Sequence, residues 1–108
     1  MTAGIEQHET SPPDRDEVLL ALRDIKGQWS DSLGIEEMGV FGSYARGSAT
    51  AASDLDIYVK TRSLNPYLLV HLKEAIEGLV HRRVDIVRLR ERMNPSLRKR
   101  IEQEGIDV

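Results

Sequence analysis

The sequence contains no cysteine among its 108 residues, and that absence excludes several kinds of chemistry at once. Disulfide bridges, thiolate zinc sites, iron–sulfur clusters and cysteine nucleophiles all require the missing side chain. Histidine is scarce as well, because His8, His71 and His81 are the three in the chain and none is spaced from another as metal ligands are. A zinc or thiol site therefore has no support in the sequence.

Long hydrophobic runs are also missing. The longest uncharged apolar stretch covers a few residues, whereas a membrane-spanning helix needs about 20. The first residues do not have the pattern of a signal peptide, so we expect a cytoplasmic protein without membrane contact. With 40% hydrophobic and 31% charged residues, a chain of this length is expected to form one small domain.

Charge is unevenly distributed along the chain. Residues 1–81 carry 7 basic and 13 acidic groups, whereas residues 82–108 carry 8 basic and 5 acidic groups. The basic part is either a solvated face, which we favour, or a docking surface for an acidic partner or nucleic acid. Direct nucleic-acid binding is not expected. The residues of this candidate docking surface are Arg88, Arg90, Arg92, Arg98, Lys99 and Arg100.

The spacing of apolar residues predicts alternating helices and strands. Residues 1–13 lack periodicity, which predicts a mobile leader before a domain at 14–108. Asp14 and Glu17 have the spacing of a helix-capping box. The predicted order is a helix at 15–31, strands at 38–41 and 55–60, a helix at 66–80, a strand at 84–89 and a helix from Pro95 to before Gly105. This order predicts a small α/β fold, with a mixed sheet, helices on one face and an acidic cleft on the other.

Two aspartates stand two residues apart in the second predicted strand. Asp54 and Asp56 therefore project from one face, while Leu55 projects from the other. Paired carboxylates repel each other, and a hard divalent cation such as Mg²⁺ is the usual reason for such a pair. Two exposed aspartates at the start of a strand would explain the same pattern without a metal.

Two further features point in the same direction. Gly42 and Ser43 follow a predicted strand and precede a helical turn, where backbone N–H groups bind anions, although ordinary turn chemistry also fits. Asp85 lies inside an apolar strand, where it needs either a metal or an ion pair with Arg82 or Arg83. Together the three features suit two-metal phosphoryl chemistry on a nucleotide.

The run Gly-Ser-Tyr-Ala-Arg-Gly at 42–47, followed by Ser-Asp-Leu-Asp at 53–56, resembles a known signature. It is similar to that of the DNA-polymerase-β-like nucleotidyltransferases, which is Gly-Ser, ten residues and then Asp-x-Asp. The small size resembles the minimal nucleotidyltransferase branch, whose members are often encoded beside a HEPN-domain protein. The resemblance implies the polymerase-β-like fold and an antitoxin that transfers AMP from ATP to a tyrosine of a HEPN RNase toxin.

The resemblance also implies roles for particular residues. Gly42 and Ser43 would hold the terminal phosphates of ATP, and Arg46 would contact phosphate or anchor the turn to the fold. Asp54 and Asp56 would bind two Mg²⁺ ions, and Asp85 would bind one of them and help to deprotonate the incoming hydroxyl. A cognate HEPN toxin, in a hetero-oligomer with this chain, would supply the acceptor.

Two other functions stay open at this point. The chain could neutralise a partner by covering its active site, without any need for catalysis. Alternatively, it could adenylylate a small molecule, as aminoglycoside-type adenylyltransferases do.

Overall fold

Helices and strands alternate along the described part of the chain, which comprises residues 14–63 and 65–108 of a computed structural model. A π-helical turn at Ser30–Gly34 joins the first helix to the first strand. The predicted leader, residues 1–13, lies outside the described residues. The helices are α1 (Arg15–Trp29), α2 (Ser43–Arg46), α3 (Pro66–Val80) and α4 (Pro95–Glu104), and the strands are β1 (Ile35–Phe41), β2 (Leu55–Thr61), β3 (Val84–Arg88) and β4 (Ile106–Asp107).

Side-chain caps begin two of the three long helices. Asn65 Oδ1 accepts a hydrogen bond from Tyr67 N at 2.9 Å, and Asn94 Oδ1 accepts one from Ser96 N at 2.8 Å. The predicted capping box at Asp14 is wrong, because Asp14 precedes α1 without a side-chain capping bond. Asp14 is exposed, so water can satisfy the first N–H groups of α1.

The four strands form one mixed sheet in the order β3-β2-β1-β4. β1 is antiparallel to both β2 and β4, whereas β2 and β3 are parallel and joined by the crossover helix α3. The prediction omitted β4, which has two residues and is too short to show periodicity in the sequence. The predicted α/β fold with a small mixed sheet is confirmed.

Helices α1 and α3 cover one face of the sheet. Their buried side chains meet the inward-facing residues of β2, of which Leu55, Ile57 and Val59 are fully buried. Burying such a side chain contributes about 1.5–3 kcal/mol each, so this layer supplies most of the hydrophobic stabilisation. The helix residues in this core are Val18, Leu22, Ile25, Leu72, Ile76 and Val80.

Helix α4 packs on the opposite face of the sheet, which differs from the expectation that the helices share one face. Ile101 of α4 forms a second cluster with Phe41 and Tyr58, which alternate with the first-face residues along β1 and β2. Leu97 and Ile101 are apolar residues four apart in α4, and this spacing does not indicate which face of the sheet they cover. This placement brings the end of α4 beside the acidic side of the sheet. No helix among the described residues is both long and apolar enough to span a bilayer.

Candidate active site

Asp56 and Asp85 lie side by side on adjacent strands. They are direct partners in the parallel register of β2 and β3. Burial raises the pKa of Asp56 above its ordinary value, and the negative charge of Asp85 raises it further. The positive charge of Arg100 opposes this rise, and Asp54 and Arg46 add smaller effects of opposite sign. The three predicted acids therefore share one electrostatic neighbourhood, centred on the half-buried Asp56.

The surroundings of these acids exclude one of the explanations that the sequence left open, the ion pair of Asp85. Asp85 is exposed and makes no ion pair with Arg82 or Arg83, so a salt bridge does not explain it. Asp54 precedes β2 and is exposed as well. Among residues 14–63 and 65–108, however, no three Asp, Glu, His or Cys side chains stand together as a set that could already hold a metal ion.

The turn at Gly42 lies against Asp56. Gly42 has a φ of +76° and a ψ of −152°, a conformation that side chains disfavour. A Cβ atom on Gly42 would also overlap Oδ2 of Asp56, so glycine is required both by the backbone and by the contact. The next residue, Ser43, begins α2 and is partly exposed. The structure thus brings the predicted Gly-Ser turn and the Asp-x-Asp motif together.

A glutamate that the sequence analysis missed holds this turn in place. Oε1 of Glu104, at the end of α4, accepts hydrogen bonds from Gly42 N at 3.2 Å and from Arg46 Nη1 at 3.1 Å. Arg46 therefore anchors the turn to the fold, one of the two roles considered for it, and its side chain is still 48% exposed. No local pattern marks Glu104, because it is 62 residues from Gly42 and is one of 18 acidic residues.

Tyr44 packs beneath the turn. The residue is 2% exposed, and its buried hydroxyl has no hydrogen-bond partner within the part of the chain that the structure describes. Burial raises the pKa of Tyr44, an effect that the nearby positive charge of Arg82 opposes. Arg82 itself donates a hydrogen bond to the carbonyl oxygen of Ala51, in the loop between α2 and β2. Tyr44 therefore supports the turn from within the core.

The arginines of the basic C-terminal stretch lie in two different places on the sheet. The guanidinium of Arg100 lies 5.6 Å from the ring centre of Phe41, the partner of Asp56 across β1 and β2, and it opposes the rise in the pKa of Asp56. Arg88 and Arg90 instead line a groove along β3 that also includes Asp85. Part of the basic stretch therefore lies near the acids, and the choice between a solvated face and a docking surface stays a prediction.

Comparison with known proteins agrees with this geometry. A family model described as polymerase beta nucleotidyltransferase matches residues 23–108. The match spans most of the chain, and the chain belongs to this family. The predicted enzyme class, a nucleotidyltransferase, is thereby confirmed.

Within that family the chain is similar to small members. It is 35% identical to the protein adenylyltransferase MntA of Thermococcus cleftensis, over 86% of this chain and 94% of that one. A solved structure described as a candidate minimal nucleotidyltransferase superposes with a TM-score of 0.73 at 34% identity, covering 89% of this chain and 97% of that chain. The predicted resemblance to the minimal branch is confirmed.

Two solved toxin–antitoxin structures share the fold at lower identity. A toxin–antitoxin with AMP-PNP superposes with a TM-score of 0.65 at 23% identity, covering 88% of this chain and 72% of that chain. A tri-AMPylated HEPN toxin of Shewanella oneidensis in complex with an MNT antitoxin gives a TM-score of 0.56 at 21% identity, with coverage of 87% and 67%. At these identities the likeness shows the fold alone.

Proposed function

We propose that this chain transfers AMP from ATP to a hydroxyl group of a partner protein, a tyrosine of a HEPN-domain toxin, and thereby acts as an antitoxin. The observation that carries the proposal is the register of Asp56 beside Asp85, with the Gly42 turn in contact with Asp56. That arrangement brings acidic groups and a candidate phosphate-binding turn to one place. In the reaction, the hydroxyl oxygen attacks the α-phosphorus, the bond to the bridging oxygen breaks and pyrophosphate leaves.

The acids fit Mg²⁺ in their chemistry. Carboxylate oxygens are the ligands that Mg²⁺ prefers, and it usually takes one or two of them together with water and phosphate oxygens. The raised pKa of Asp56 reflects unbalanced negative charge and burial, which a bound cation would relieve. Asp54, Asp56 and Asp85 would hold two ions. When bound, these ions would neutralise charge on the phosphates and on the leaving pyrophosphate.

The turn between β1 and α2 would bind the phosphates. Gly42 permits close approach to Asp56, and the hydroxyl of Ser43 would donate a hydrogen bond to a phosphate oxygen. The exposed part of the Arg46 guanidinium would add positive charge, while Glu104 fixes its orientation. Asp85, which is exposed, would accept the proton of the attacking hydroxyl.

The proposed acceptor is a separate protein. The described helices and strands form one four-stranded sheet with its covering helices, against which an acceptor protein would dock. The relatives support a HEPN-domain partner, because one structurally similar complex contains an AMPylated HEPN toxin and an MNT antitoxin. The similar toxin–antitoxin with AMP-PNP supports an adenine nucleotide as the donor.

The decisive experiment follows the α-phosphate. The purified chain is incubated with Mg²⁺, ATP labelled at the α-phosphate and an extract of its host cells, and the modified protein is identified by mass spectrometry. We expect label on a tyrosine of a HEPN-domain protein and no label from γ-labelled ATP. The double variant Asp54→Asn with Asp56→Asn is expected to lose at least ~100-fold in transfer rate, because it removes the proposed metal ligands.

Asp14 and Asp16 provide a matched control. They have the same spacing as Asp54 and Asp56, but they are exposed residues at the start of α1 rather than on β2 or β3. Asp14→Asn with Asp16→Asn removes the same charge and should transfer AMP within about twofold of the wild type, as surface substitutions usually do. Equal transfer by the wild type and the Asp54/Asp56 variant would contradict the assignment of the acids.

One observation favours the alternative function, in which the chain neutralises its partner by covering the partner's active site. The described residues contain no three-ligand set that could already hold a metal, which is compatible with a chain that neutralises its partner by binding alone. Growth rescue from the toxin separates the two functions. Rescue that needs Asp54 and Asp56 supports AMP transfer, whereas full rescue by their double variant supports occlusion. Label on a small hydroxyl compound and none on protein would instead indicate a small-molecule adenylyltransferase.

A further inference from the structure

A groove runs along the outer edge of β3 and ends at Asp85. It has a volume of about 530 Å³ and lies between β3 and the first half of α3. Within the described residues, β2 is the strand paired with β3, and no other strand pairs with its outer edge. The groove therefore joins an edge strand to one of the candidate catalytic acids. Its lining residues are Pro66, Leu69, Val70, Lys73, Asp85, Ile86, Arg88 and Arg90.

The outer edge of β3 offers backbone groups to an extended chain. Residues Arg83 and Leu89 bond to β2, so the alternate residues 84, 86 and 88 direct their backbone groups outward. Two of these backbone groups are already hydrogen-bonded to side chains. Val84 N donates to the carboxylate of Glu77, and the carbonyl oxygen of Arg88 accepts from the guanidinium of Arg90. The outward groups of Ile86 lie between them, in the middle of the groove.

The lining of the groove indicates what kind of chain it fits. Four apolar residues form part of its wall, and Val70 among them is 53% exposed. Lys73, Arg88 and Arg90 add three positive charges against the single negative charge of Asp85. The groove is thus positively charged, although the whole chain has a net charge of −3. This charge favours binding of an acidic segment over binding of a neutral or basic one.

We propose that the β3 groove docks an acidic, extended segment of the acceptor protein and delivers its hydroxyl to Asp85. The inference rests on the proposed function for the identity of that hydroxyl. Backbone pairing with an edge strand would hold the segment, and alternate side chains would enter the apolar part of the groove. The apolar wall and the overall negative charge of the chain favour a peptide over a nucleic acid, whose phosphates need a more extensively basic surface.

A synthetic polymer tests the groove without knowledge of the natural partner. Fluorescein-labelled poly(Glu,Tyr), which is acidic and carries tyrosine hydroxyls, is titrated with the chain at low ionic strength and followed by anisotropy. We expect binding to poly(Glu,Tyr), and at least about tenfold weaker binding to poly(Lys,Tyr) and to poly(U). Tighter binding of poly(U) than of poly(Glu,Tyr) would overturn the proposal in favour of a nucleic-acid surface.

Charge reversal locates the binding surface. Lys73→Glu with Arg88→Glu should weaken poly(Glu,Tyr) binding at least tenfold. The matched control, Arg23→Glu with Lys60→Glu, makes the same change in charge at exposed residues that belong neither to the groove nor to the basic C-terminal stretch, and it should stay within twofold of the wild type. Equal losses in the two variants would overturn the proposal. ATP binding is measured in parallel, and its loss in the Lys73/Arg88 variant would assign the groove to the nucleotide instead.

Amide NMR and AMP transfer supply independent readouts. Titration with poly(Glu,Tyr) should shift the amide signals of residues 65–73 and 84–90, and shifts confined to other parts of the chain would overturn the docking surface. Groove-dependent binding without AMP transfer to any protein would contradict the proposed function and leave the docking surface standing. AMP transfer that is undiminished in the Lys73/Arg88 variant would contradict the docking surface alone.

Discussion

Gly42 and Asp56 are in contact so close that no side chain larger than hydrogen fits at position 42. The carboxylate of the Asp-x-Asp motif thus dictates which residue can stand first in the Gly-Ser motif, the proposed phosphate-binding turn. Phe41, which precedes Gly42, is the register partner of Asp56 across β1 and β2. The ten-residue spacing in the sequence is therefore the length of chain that leaves β1, forms α2 and its loop, and returns beside β1 as β2.

Gly42→Ala should damage both the fold and the activity. The substitution introduces a Cβ atom at a φ of +76° and against Asp56, so we expect a loss of about 1–3 kcal/mol in the free energy of unfolding. AMP transfer should fall at least ~100-fold, because the displaced turn and carboxylate no longer face each other correctly. Urea unfolding and the α-label assay measure the two effects. Gly27→Ala, at a position where a Cβ meets nothing within 4 Å, is the control.

Glu104→Gln tests the contact that the sequence did not reveal. The amide oxygen can still accept from Gly42 N, but the ion pair with Arg46 is lost. We expect KM for ATP to rise about tenfold with kcat within a few fold, because the turn and Arg46, in the proposed roles, would bind phosphate in the ground state as well as in the transition state. Glu102→Gln on the same helix should leave both constants unchanged. An unchanged KM in Glu104→Gln would contradict the positioning role.

Asp56→Asn should stabilise the metal-free protein in a pH-dependent manner. The pKa of Asp56 is raised by burial and by Asp85, so the folded state holds the proton more tightly than the unfolded state does. The free energy of unfolding of the wild type therefore falls relative to that of the variant as the pH rises above about 4, the ordinary pKa of aspartate. The difference between the two proteins stops growing once the pH exceeds the pKa of Asp56 in the folded state. Urea unfolding with EDTA at pH 3 to 7 measures this difference. A difference that narrows with rising pH would contradict the assignment.

Asn94→Ala should destabilise the protein through helix α4. Asn94 Oδ1 accepts from both Ser96 N and Leu97 N, and losing such a cap costs about 1 kcal/mol. Asp14→Ala is the contrasting variant, because Asp14 precedes α1 without a side-chain cap bond and should change stability by less than about 0.5 kcal/mol. Thermal unfolding of the two variants is compared with that of the wild type. Equal losses would show that the caps do not explain the difference.

Local sequence patterns predicted the elements well where the signal lies within a few residues. The Asn-Pro pairs at 65–66 and 94–95 marked two helix starts, and alternation along β2 separated Asp56 from the buried Leu55 and Ile57. The same reasoning failed for the capping box at Asp14, since spacing alone does not show whether a side chain bonds or stays in water.

Contacts between residues far apart in the sequence were harder to predict. β4 is too short to show a period, and the side of the sheet on which α4 packs depends on the path of the chain after β3. Glu104 reaches Gly42 only because α4 takes that path. The resemblance of the motif predicted that the acids and the turn lie together. The hydrogen bonds by which Glu104 holds the turn are visible only in the tertiary structure.

The parallel pairing of β2 with β3 has a consequence for refolding. The connection between β2 and β3, which contains the crossover helix α3, spans residues 62–83, whereas the connection between β1 and β2 spans residues 42–54, and we therefore expect Asp56 and Asp85 to become neighbours after β1 and β2 have paired. Contacts between distant parts of a chain form more slowly than local ones, because loop closure must precede them. The acidic pair is therefore assembled late, and regain of enzymatic competence should lag behind regain of helical circular dichroism.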